Sequence, residues 1–363
     1  MRIVFLTSSM SGGGAQRTIQ YLSSNFAKEN EVIIVSQADI LFYQIHPSVV
    51  VKTLHVNPAP SNVIARVINM VKCTLKTNYE IARLSPDIVF SMMAYDAKHI
   101  LMLHKMMGFS LITSERNNPE MQKEKKAARI KYKIFTQSDG IVFQTNRAKA
   151  FFPKHISEKG IIIHNAVGNE LAYSLTPPPK RDEVICAVGR LHKQKNYPLL
   201  LNAFSMFLEA FPSYKLKIFG QGPEESNLRE LAEKLGIENS VVFEGQKKDA
   251  LQDVSRSSCY VLSSDYEGMP NTLLEAMAVG VPCVSTDCPN GPAELIEDGK
   301  TGLLVPVGNV EALCSAIIRA VTDRELIELC EKNALVIRET HGVERISREY
   351  LDYVYSVQSK RRS

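Results

Sequence analysis

The sequence of 363 residues has no tryptophan and no hydrophobic run long enough to cross a membrane. A membrane-spanning helix needs about 18 to 20 consecutive apolar residues, so no such helix is expected in this sequence. The first residues, MRIVFL, read as a short strand and lack the long apolar stretch of a signal peptide, so export is not expected. With 45% hydrophobic and 23% charged residues, the composition is globular and excludes global disorder.

Metal-binding patterns are also lacking. The seven cysteines are scattered, and Cys283 and Cys288 are too far apart for a C-x-x-C pair. The eight histidines show no metal-like spacing, and Asp265-Tyr-Glu267 is the nearest approach to an Asp-x-Asp motif. We therefore expect buried reduced thiols in a cytoplasmic protein, and no structural or catalytic metal.

Charge is unevenly distributed along the chain. Residues 1–177 carry 21 basic and 12 acidic side chains, a net charge of +9, whereas the remainder carries 22 basic and 27 acidic side chains, a net charge of −5. This asymmetry indicates that the first half meets an anionic partner. We expect that partner not to be a nucleic acid.

The length exceeds the usual limit for one hydrophobic core, and the pattern of elements repeats in two halves. Each half alternates short apolar strands with amphipathic helices, which predicts two doubly wound α/β domains with parallel sheets facing a cleft. We place the domains at 1–170 and 171–342, with a final helix and basic tail at 343–363 returning to the first domain. The linker is expected at Pro177–Pro179, because three consecutive prolines fit neither a helix nor a central strand.

The segment EGMPNTLLE carries the strongest local signal. Glu267 follows an apolar strand, Gly268 and Pro270 tighten the loop, and a helix capped by Asn271 begins there. The free N–H groups of that helix end suit a phosphate. Glu275, one turn later, is placed to accept hydrogen bonds from sugar hydroxyls. Two surface glutamates at this spacing are the alternative interpretation.

A second signal is the basic segment GRLHKQKN. Arg190 and Lys195 follow a strand and are able to bind a diphosphate, although a solvated basic loop is the alternative. Gly220 follows the next strand, and Gly245 and Gln246 follow another. Such glycines admit a ligand close to the backbone, but they also serve any tight turn.

In the first half, three glycines follow the first strand at positions 12 to 14. A dinucleotide fingerprint would need a third spaced glycine where Arg17 stands, so a NAD site is poorly supported. The segment SERN places Glu115 and Arg116 at the end of a later strand, where a surface turn is an equally good interpretation.

Two basic segments fit helices lying on an anionic membrane surface. Residues 123–133 include five lysines and one arginine, and residues 62–77 mix three basic side chains with valine and isoleucine. Solvated basic faces over a core stripe are an equal alternative for both segments.

Taken together, these motifs resemble those of retaining glycosyltransferases of family 4, which have the GT-B fold of two Rossmann-like domains. EGMPNTLLE resembles the family's E-x7-E motif, and GRLHKQKN resembles its basic donor-phosphate motif. GGGAQR resembles the N-terminal Gly-Gly-Ala-Glu-Arg turn, with Gln16 in place of glutamate. SERN resembles a Ser-Glu-His segment of transferases that build lipid-linked glycans, with Arg116 in place of histidine.

The resemblance implies a role for each site residue. Arg190 and Lys195 would neutralise the leaving diphosphate, and Glu267 would hold the donor sugar. The resemblance also places catalytic side chains at Glu115 and Arg116. Among the donor-binding positions, Glu275 would bind the ribose, the Thr272 and Leu273 backbone would hold phosphate, and Gln246 would lie near the base. The full set of donor-binding positions would be Gly13, Gly14, Gly189, Gly220, Gln246, Gly268, Asn271, Thr272, Leu273 and Glu275.

The activity implied is transfer of a hexose or N-acetylhexosamine from a UDP-linked sugar, without a metal, to a glycan acceptor. The acceptor would be lipid-linked, in the assembly of bacterial polysaccharide, lipopolysaccharide or glycoprotein glycans at the inner face of the cell membrane. A nucleotide-sugar 2-epimerase with the same fold and a non-catalytic sugar-nucleotide-binding scaffold are the alternatives.

Overall fold

The computed structural model describes residues 1–11, 13–39, 43–56, 62–121, 125–168 and 170–362. The chain divides into two compact units. Unit 1 comprises Met1–Gly168 and Val343–Ser363, and unit 2 comprises Asn169–Gly342. The three prolines at which the linker was expected therefore lie inside unit 2, and Pro177 is close to Gly280 of that same unit. The linker prediction at these prolines is wrong, because they pack as part of a domain.

Unit 1 contains a seven-stranded parallel sheet in the order β3-β2-β1-β4-β5-β6-β7. Its strands are β1 (Arg2–Thr7), β2 (Glu31–Ser36), β3 (Val50–Thr53), β4 (Ile88–Ser91), β5 (Ser110–Glu115), β6 (Gly140–Phe143) and β7 (Gly160–Ile162). The helices that accompany them are α1 (Gly14–Phe26), α2 (Val63–Leu84), α3 (Leu101–Met107), α4 (Lys125–Gln137), α5 (Asn146–Ala150) and α6 (Lys154–Ser157).

The strands of unit 1 form because their apolar runs are covered on both faces of the sheet. Strands β4, β5 and β6 are buried at every position, as expected for a parallel sheet between two layers of helices. On one face Phe5 packs against Phe26 of α1 and Phe90 of β4, with ring centroids 5.7 Å apart in both pairs. The core of unit 1 thus lies on both sides of its sheet.

Unit 2 contains a six-stranded parallel sheet in the order β10-β9-β8-β11-β12-β13. Its strands are β8 (Asp182–Val188), β9 (Lys215–Phe219), β10 (Val241–Gly245), β11 (Ser257–Leu262), β12 (Cys283–Thr286) and β13 (Leu303–Val305). Its helices are α7 (Leu171–Ser174), α8 (Tyr197–Ala210), α9 (Glu225–Lys234), α10 (Ala250–Arg256), α11 (Asn271–Ala278), α12 (Pro292–Leu295), α13 (Val310–Thr322) and α14 (Arg324–Thr340).

The strand order of unit 2 reverses beside its first strand. From β8 the chain adds β9 and β10 on one side, and then returns to add β11, β12 and β13 on the other. Loops that leave neighbouring strands in opposite directions open a crevice at such a switch point, and open α/β sheets bind ligands there. The loops after β8 and β11 are therefore the first place to look for a site.

The last helix, α15 (Val343–Arg362), packs on unit 1 against α1 and β5. Tyr350 is buried next to Phe90, with ring centroids 5.8 Å apart. The Tyr353 hydroxyl accepts a hydrogen bond from the Ile141 N–H at 2.8 Å. Unit 1 is thus completed by a segment that follows unit 2 in sequence.

All seven cysteines are buried and none is in a disulfide. Burial raises the pKa of the Cys186 thiol to about 12, so this group stays protonated at neutral pH. No helix in the described part of the chain is both long and apolar enough to span a bilayer.

Candidate active site

An ion pair joins the two loops at the switch point of unit 2. Lys195 ends the loop after β8, and Glu267 lies in the loop after β11. The Lys195 Nζ is 2.7 Å from Glu267 Oε1, and the two side chains are 16% and 8% exposed. The structure therefore brings together two of the predicted catalytic residues, which are 72 positions apart in sequence.

Glu267 is held by more than the lysine. The Ser264 hydroxyl donates to Glu267 Oε1 at 2.6 Å, and Gln194 Nε2 lies 3.5 Å from Glu267 Oε2. The Glu267 N–H donates to the Pro289 carbonyl at 3.3 Å. Charge-assisted hydrogen bonds of this kind fix a carboxylate in one orientation before a ligand arrives.

The loops themselves are cross-linked. The Asp265 N–H donates to the Gln194 carbonyl at 2.9 Å, and Ser263 Oγ donates to the Lys195 carbonyl at 2.9 Å. Asn196 Nδ2 donates to Asp265 Oδ1 at 2.6 Å, and the Asn196 side chain also caps α8 by accepting from the Leu199 N–H. These bonds set the spacing between the lysine and glutamate loops.

Glycine is required at strand ends of unit 2 where two backbone segments lie too close together to leave room for a Cβ atom. A Cβ placed on Gly220, which has a φ of +145°, would overlap the Gly189 carbonyl. The Gly220 N–H donates to the Gly245 carbonyl at 2.7 Å, so the ends of β8, β9 and β10 are drawn together. At Gly189 an added Cβ would lie 3.0 Å from Lys195 Cε, which shows that the lysine stem packs over this glycine.

Arg190 and Gln246 are exposed beside these glycines. Arg190 directly follows Gly189, and among the described residues no side chain forms an ion pair with its guanidinium. Gln246 directly follows Gly245 at the end of β10. Both therefore lie at the same sheet edge as the Lys195–Glu267 pair, with their polar ends accessible.

Helix α11 begins one residue earlier than the capping signal indicated. Pro270 occupies the cap position and Asn271 is the first helical residue, so the predicted Asn271 cap is wrong. Pro270 is compatible with this position, because its φ of −78° is close to the value that the proline ring imposes. The amides of Thr272 and Leu273 belong to the first turn, where the N–H groups have no carbonyl in a preceding turn.

The loop before α11 is tightly packed. A Cβ on Gly291 would overlap the Gly268 carbonyl, so the loop after β12 lies directly against it. Thr272 Oγ1 accepts from the Tyr260 hydroxyl at 2.8 Å, and Leu273 is fully buried. Glu275, in the second turn, is only 8% exposed, which rules out a glutamate on the solvated face of the helix.

The Glu267 carboxylate affects the groups around it. The pKa of the buried Cys288 thiol is raised to about 12, by burial first and by the Glu267 charge second, while Lys195 opposes the shift. The pKa of Tyr197, whose hydroxyl donates to the Gly189 carbonyl at 3.1 Å, is raised for the same two reasons. Both groups therefore stay neutral beside the ion pair.

The predicted site residues of unit 1 have a different environment. Glu115 is 3% exposed, and its Oε2 is 2.7 Å from the Lys131 Nζ. Burial raises the pKa of Glu115, and the Lys131 charge opposes that shift. The Asn117 N–H donates to the other carboxylate oxygen at 3.2 Å. This sealed environment favours a structural role for Glu115 over the predicted catalytic one.

Arg116 connects four parts of unit 1. Its guanidinium donates to Thr18 Oγ1 of α1 at 2.8 Å, to Asn165 Oδ1 at 2.6 Å and to the Tyr350 hydroxyl of α15 at 3.3 Å. Its donors are thus engaged in binding the last helix to the sheet. The geometry favours a positioning role for Arg116 within unit 1.

The glycine loop of unit 1 precedes α1. Gly13 and Gly14 are exposed, and Gly13 has a φ of +150°, a conformation that favours glycine. The Gly13 N–H donates to the Tyr43 hydroxyl at 3.1 Å. The first glycine of the motif, at position 12, lies outside the described residues.

Sequence reasoning missed Ser264 and Gln194, which contact the Glu267 carboxylate. Ser264 lies three residues before Glu267 in the same loop, so a search for hydroxyls near the glutamate would have found it. Gln194 lies next to Lys195 but carries no charge, and only the fold shows that it reaches the second loop.

Residues 175–335 match the family model of glycosyl transferases group 1. An uncharacterized glycosyltransferase of Haemophilus influenzae is 32% identical over 61% of this chain and 62% of its own length, so the alignment spans about three fifths of that relative. A Campylobacter jejuni relative is 24% identical over 95% of this chain and 97% of its own length. It is named N-acetylgalactosamine-N,N'-diacetylbacillosaminyl-diphospho-undecaprenol 4-alpha-N-acetylgalactosaminyltransferase.

The fold matches that of the lipopolysaccharide outer core galactosyltransferase WaaB, whose apo structure aligns with a TM-score of 0.77 and 21% identity, covering 98% of this chain and 99% of WaaB. The crystal structure of Anabaena HepE in complex with UDP aligns with a TM-score of 0.82 and 16% identity, covering 98% of this chain and all of HepE. The predicted fold class, two Rossmann-like parallel α/β domains of the GT-B type, is confirmed. The matched segment contains the loops that carry Arg190, Lys195 and Glu267, and the predicted enzyme class is confirmed for it. Residues 175–335, within unit 2, are therefore similar to glycosyl transferases group 1.

Proposed function

We propose that the protein is a retaining glycosyltransferase of family 4 that moves a hexose or N-acetylhexosamine from a UDP-linked donor to a lipid-linked glycan acceptor. The observation that carries this proposal is the Lys195–Glu267 ion pair at the switch point of unit 2, beside the accessible Arg190. The UDP in the HepE structure and the name of the Campylobacter jejuni relative support the donor and acceptor classes.

Glycosyl transfer develops positive charge at the anomeric carbon and negative charge on the departing diphosphate. An ammonium has three N–H donors, and Lys195 uses one of them on Glu267. The remaining donors, with the Arg190 guanidinium, are available to the diphosphate. Glu267, fixed by Ser264, supplies negative charge near the sugar ring.

In the proposed reaction the bond between the anomeric carbon and the diphosphate oxygen breaks, and the acceptor oxygen bonds to that carbon from the same face. The acceptor proton passes to the leaving phosphate oxygen. The product keeps the anomeric configuration of the donor, and UDP is released. Lys195 and Arg190 stabilise the charge on the leaving group, so the proposal requires no divalent metal.

The donor would be bound along the carboxyl edge of the unit 2 sheet. The backbone of Thr272 and Leu273 would hold phosphate and Gln246 would lie near the base. The residues with the remaining proposed donor contacts are Gly189, Gly220, Gly268, Asn271 and Glu275. Unit 1 would bind the acceptor at the inner face of the cell membrane, in surface-glycan assembly, and its exposed Gly13 and Gly14 loop would lie against both donor and acceptor.

The proposal is tested by incubating the purified protein with a panel of UDP- and GDP-sugars and a lipid-linked glycan acceptor, and by measuring nucleotide release and product. We expect acceptor-dependent UDP release, a product with retained configuration, and unchanged turnover in EDTA. Conversion of UDP-N-acetylglucosamine to its 2-epimer without an acceptor would identify an epimerase instead. Absence of UDP binding by calorimetry would contradict the donor assignment.

A further inference from the structure

Helix α2 of unit 1 exposes an unusually apolar surface. Eight of its large hydrophobic side chains are between 49% and 71% exposed, and together they define the α2 face: Val63, Ile64, Val67, Ile68, Met70, Val71, Leu75 and Tyr79. Monomeric soluble proteins rarely expose a continuous apolar patch of this kind, and such patches mark binding surfaces.

The α2 face is separate from the side of the helix that packs on unit 1. The buried residues Cys73, Thr77 and Ile81 recur every four positions and form the packed side. Ile64, Ile68, Val71 and Leu75 follow the same helical spacing on a different side. The apolar surface is therefore not a part of the core that happens to be poorly covered.

The neighbouring helix also exposes large apolar side chains. Helix α3 contacts α2, and its Met102 and Met106 are 78% and 76% exposed. Methionine is flexible and adapts to irregular or fluid surroundings. Two exposed methionines on a seven-residue helix add to the surface without adding charge.

Charge along helix α2 is mostly positive, and its one acidic residue, Glu80, forms an ion pair with Arg83 of the same helix. Residues 63–79 include Arg66, Lys72 and Lys76 and no acidic residue. Lys76 donates to the Leu54 carbonyl at 2.7 Å, whereas Lys72 is exposed at the border of the apolar side chains. An apolar helix face bordered by cations matches a bilayer with anionic headgroups, which accepts apolar side chains and attracts lysine.

In its described part, the second basic segment exposes fewer large apolar side chains, namely Ile130 at 36% and Tyr132 at 42%. Lys131 of α4 is buried in the ion pair with Glu115, so it does not face solvent. Arg129 and Lys133 are exposed, but Lys123 and Glu124 lie outside the described residues. The nearby Tyr132 is engaged with His155, its hydroxyl 3.0 Å from Nε2. Helix α2 is thus the better-equipped of the two membrane candidates.

We infer that the α2 face, with the α3 methionines, docks on an anionic lipid bilayer. Bilayer docking would bring unit 1 to a lipid-linked acceptor, and only this explanation of its use rests on the proposed function. It is tested by co-sedimentation with phosphatidylcholine vesicles that contain or lack phosphatidylglycerol, with no donor or acceptor present. Failure of docking is thereby distinguished from failure of the transferase activity.

We expect the double variant Ile68→Ser/Leu75→Ser to lower binding to anionic vesicles by about tenfold, because two large apolar side chains no longer enter the bilayer. Lys72→Glu should lower binding to anionic vesicles by about fivefold and leave binding to neutral vesicles unchanged. Matched controls are Leu335→Ser/Val336→Ser, which alters exposed apolar residues of α14 in unit 2, and Lys133→Glu on α4. Both controls should bind like the wild type.

Because the chain has no tryptophan, a single introduced indole reports insertion directly. Ile64→Trp should shift its fluorescence to shorter wavelength on anionic vesicles, and Leu335→Trp should not. Wild-type failure to bind vesicles, unchanged binding of Ile68→Ser/Leu75→Ser, or a wild-type dimer that this variant dissociates would overturn the inference. UDP release with a water-soluble acceptor should persist in Ile68→Ser/Leu75→Ser.

Discussion

Two buried glutamate–lysine pairs lie at strand ends in this molecule, one in each unit. Glu115 and Lys131 in unit 1 and Glu267 and Lys195 in unit 2 have the same separation, 2.7 Å. The side chains of the first pair are 2% and 9% exposed, and those of the second are 8% and 16% exposed. Distance and residue type therefore do not distinguish them.

The difference lies in what surrounds each pair. Glu115 is the last residue of β5 and its lysine comes from the adjacent helix α4, so the pair joins a strand to its covering layer. Glu267 and Lys195 both come from loops, on either side of a switch point, beside an exposed arginine. A buried ion pair is a candidate catalytic centre when it lies on loops at the carboxyl ends of the strands, where α/β sheets bind ligands.

The largest expected effect is on catalysis in unit 2. Glu267→Gln keeps the shape of the side chain but removes its charge, and Lys195→Ala removes a cation from the leaving group. We expect either change to lower kcat/KM by roughly 10³-fold, about 4 kcal/mol in transition-state stabilisation. Steady-state UDP release measures this.

A matched control is the surface pair of unit 2 formed by Arg256 and Asp182, whose side chains are 68% and 47% exposed. Arg256→Ala should leave kcat/KM near the wild-type value, because exposed ion pairs contribute little. Wild-type turnover in Glu267→Gln would remove the basis for treating the two pairs differently.

The corresponding change in unit 1 should affect stability. Glu115→Gln leaves the Lys131 ammonium buried without a counter-charge, which we expect to cost about 3 kcal/mol in the free energy of unfolding. Denaturant titration measures the loss, and Glu115→Gln/Lys131→Met should recover much of it. If Glu115→Gln instead kept its stability and lost turnover, the catalytic interpretation of Glu115 would be restored.

Another buried carboxylate, Asp96, extends the comparison, because no described lysine or arginine forms an ion pair with it. It accepts a hydrogen bond from the Ser8 N–H at 3.0 Å, and burial raises its pKa from 3.8 to about 6. Below this pKa the native state binds a proton that the unfolded chain does not bind until near pH 3.8, so the penalty of the buried charge declines as pH falls.

We therefore expect Asp96→Asn to be more stable than the wild type at pH 7.5 by about 2 kcal/mol, with the difference shrinking at pH 4.5. The asparagine oxygen still accepts from Ser8. Denaturant unfolding of both proteins at the two pH values tests the sign. A difference that grows as pH falls would show that the carboxylate is stabilised as an anion.

The smallest effect is expected at Ser264. Ser264→Ala removes one hydrogen bond to Glu267 while leaving Lys195 in place, and we expect kcat to fall by about tenfold. The KM for the donor should stay the same, because Ser264 orients the glutamate and does not hold the nucleotide. A rise in KM at constant kcat would show that Ser264 contacts the donor instead.

Most of the fold was predictable from apolar runs. Segments such as RIVFLT and PDIVFS read as buried strands because parallel sheets cover both faces. The edge strand β3 was missed, because it has four residues and is half exposed, so its pattern is weak. The prolines at 177–179 indicated a linker, but tertiary packing placed them in unit 2.

The candidate site was predictable only in part. Glu267, Arg190 and Lys195 were identified from motifs, and their position at one sheet edge follows from strand order. The sequence offered no means to separate Glu115 from Glu267, because the partner of Glu115 lies 16 residues away on a helix whose basic residues suggested a solvated surface. Burial of that lysine is decided by packing.

The placement of α15 has a consequence for biosynthesis. As the chain leaves the ribosome, unit 2 is complete before the segment 343–362 that covers Phe90 and holds Arg116 through Tyr350 has emerged. Part of the apolar interior of unit 1 therefore stays uncovered during synthesis until the last helix has been made. Until then, this face stays open to chaperones that shield nascent apolar surface.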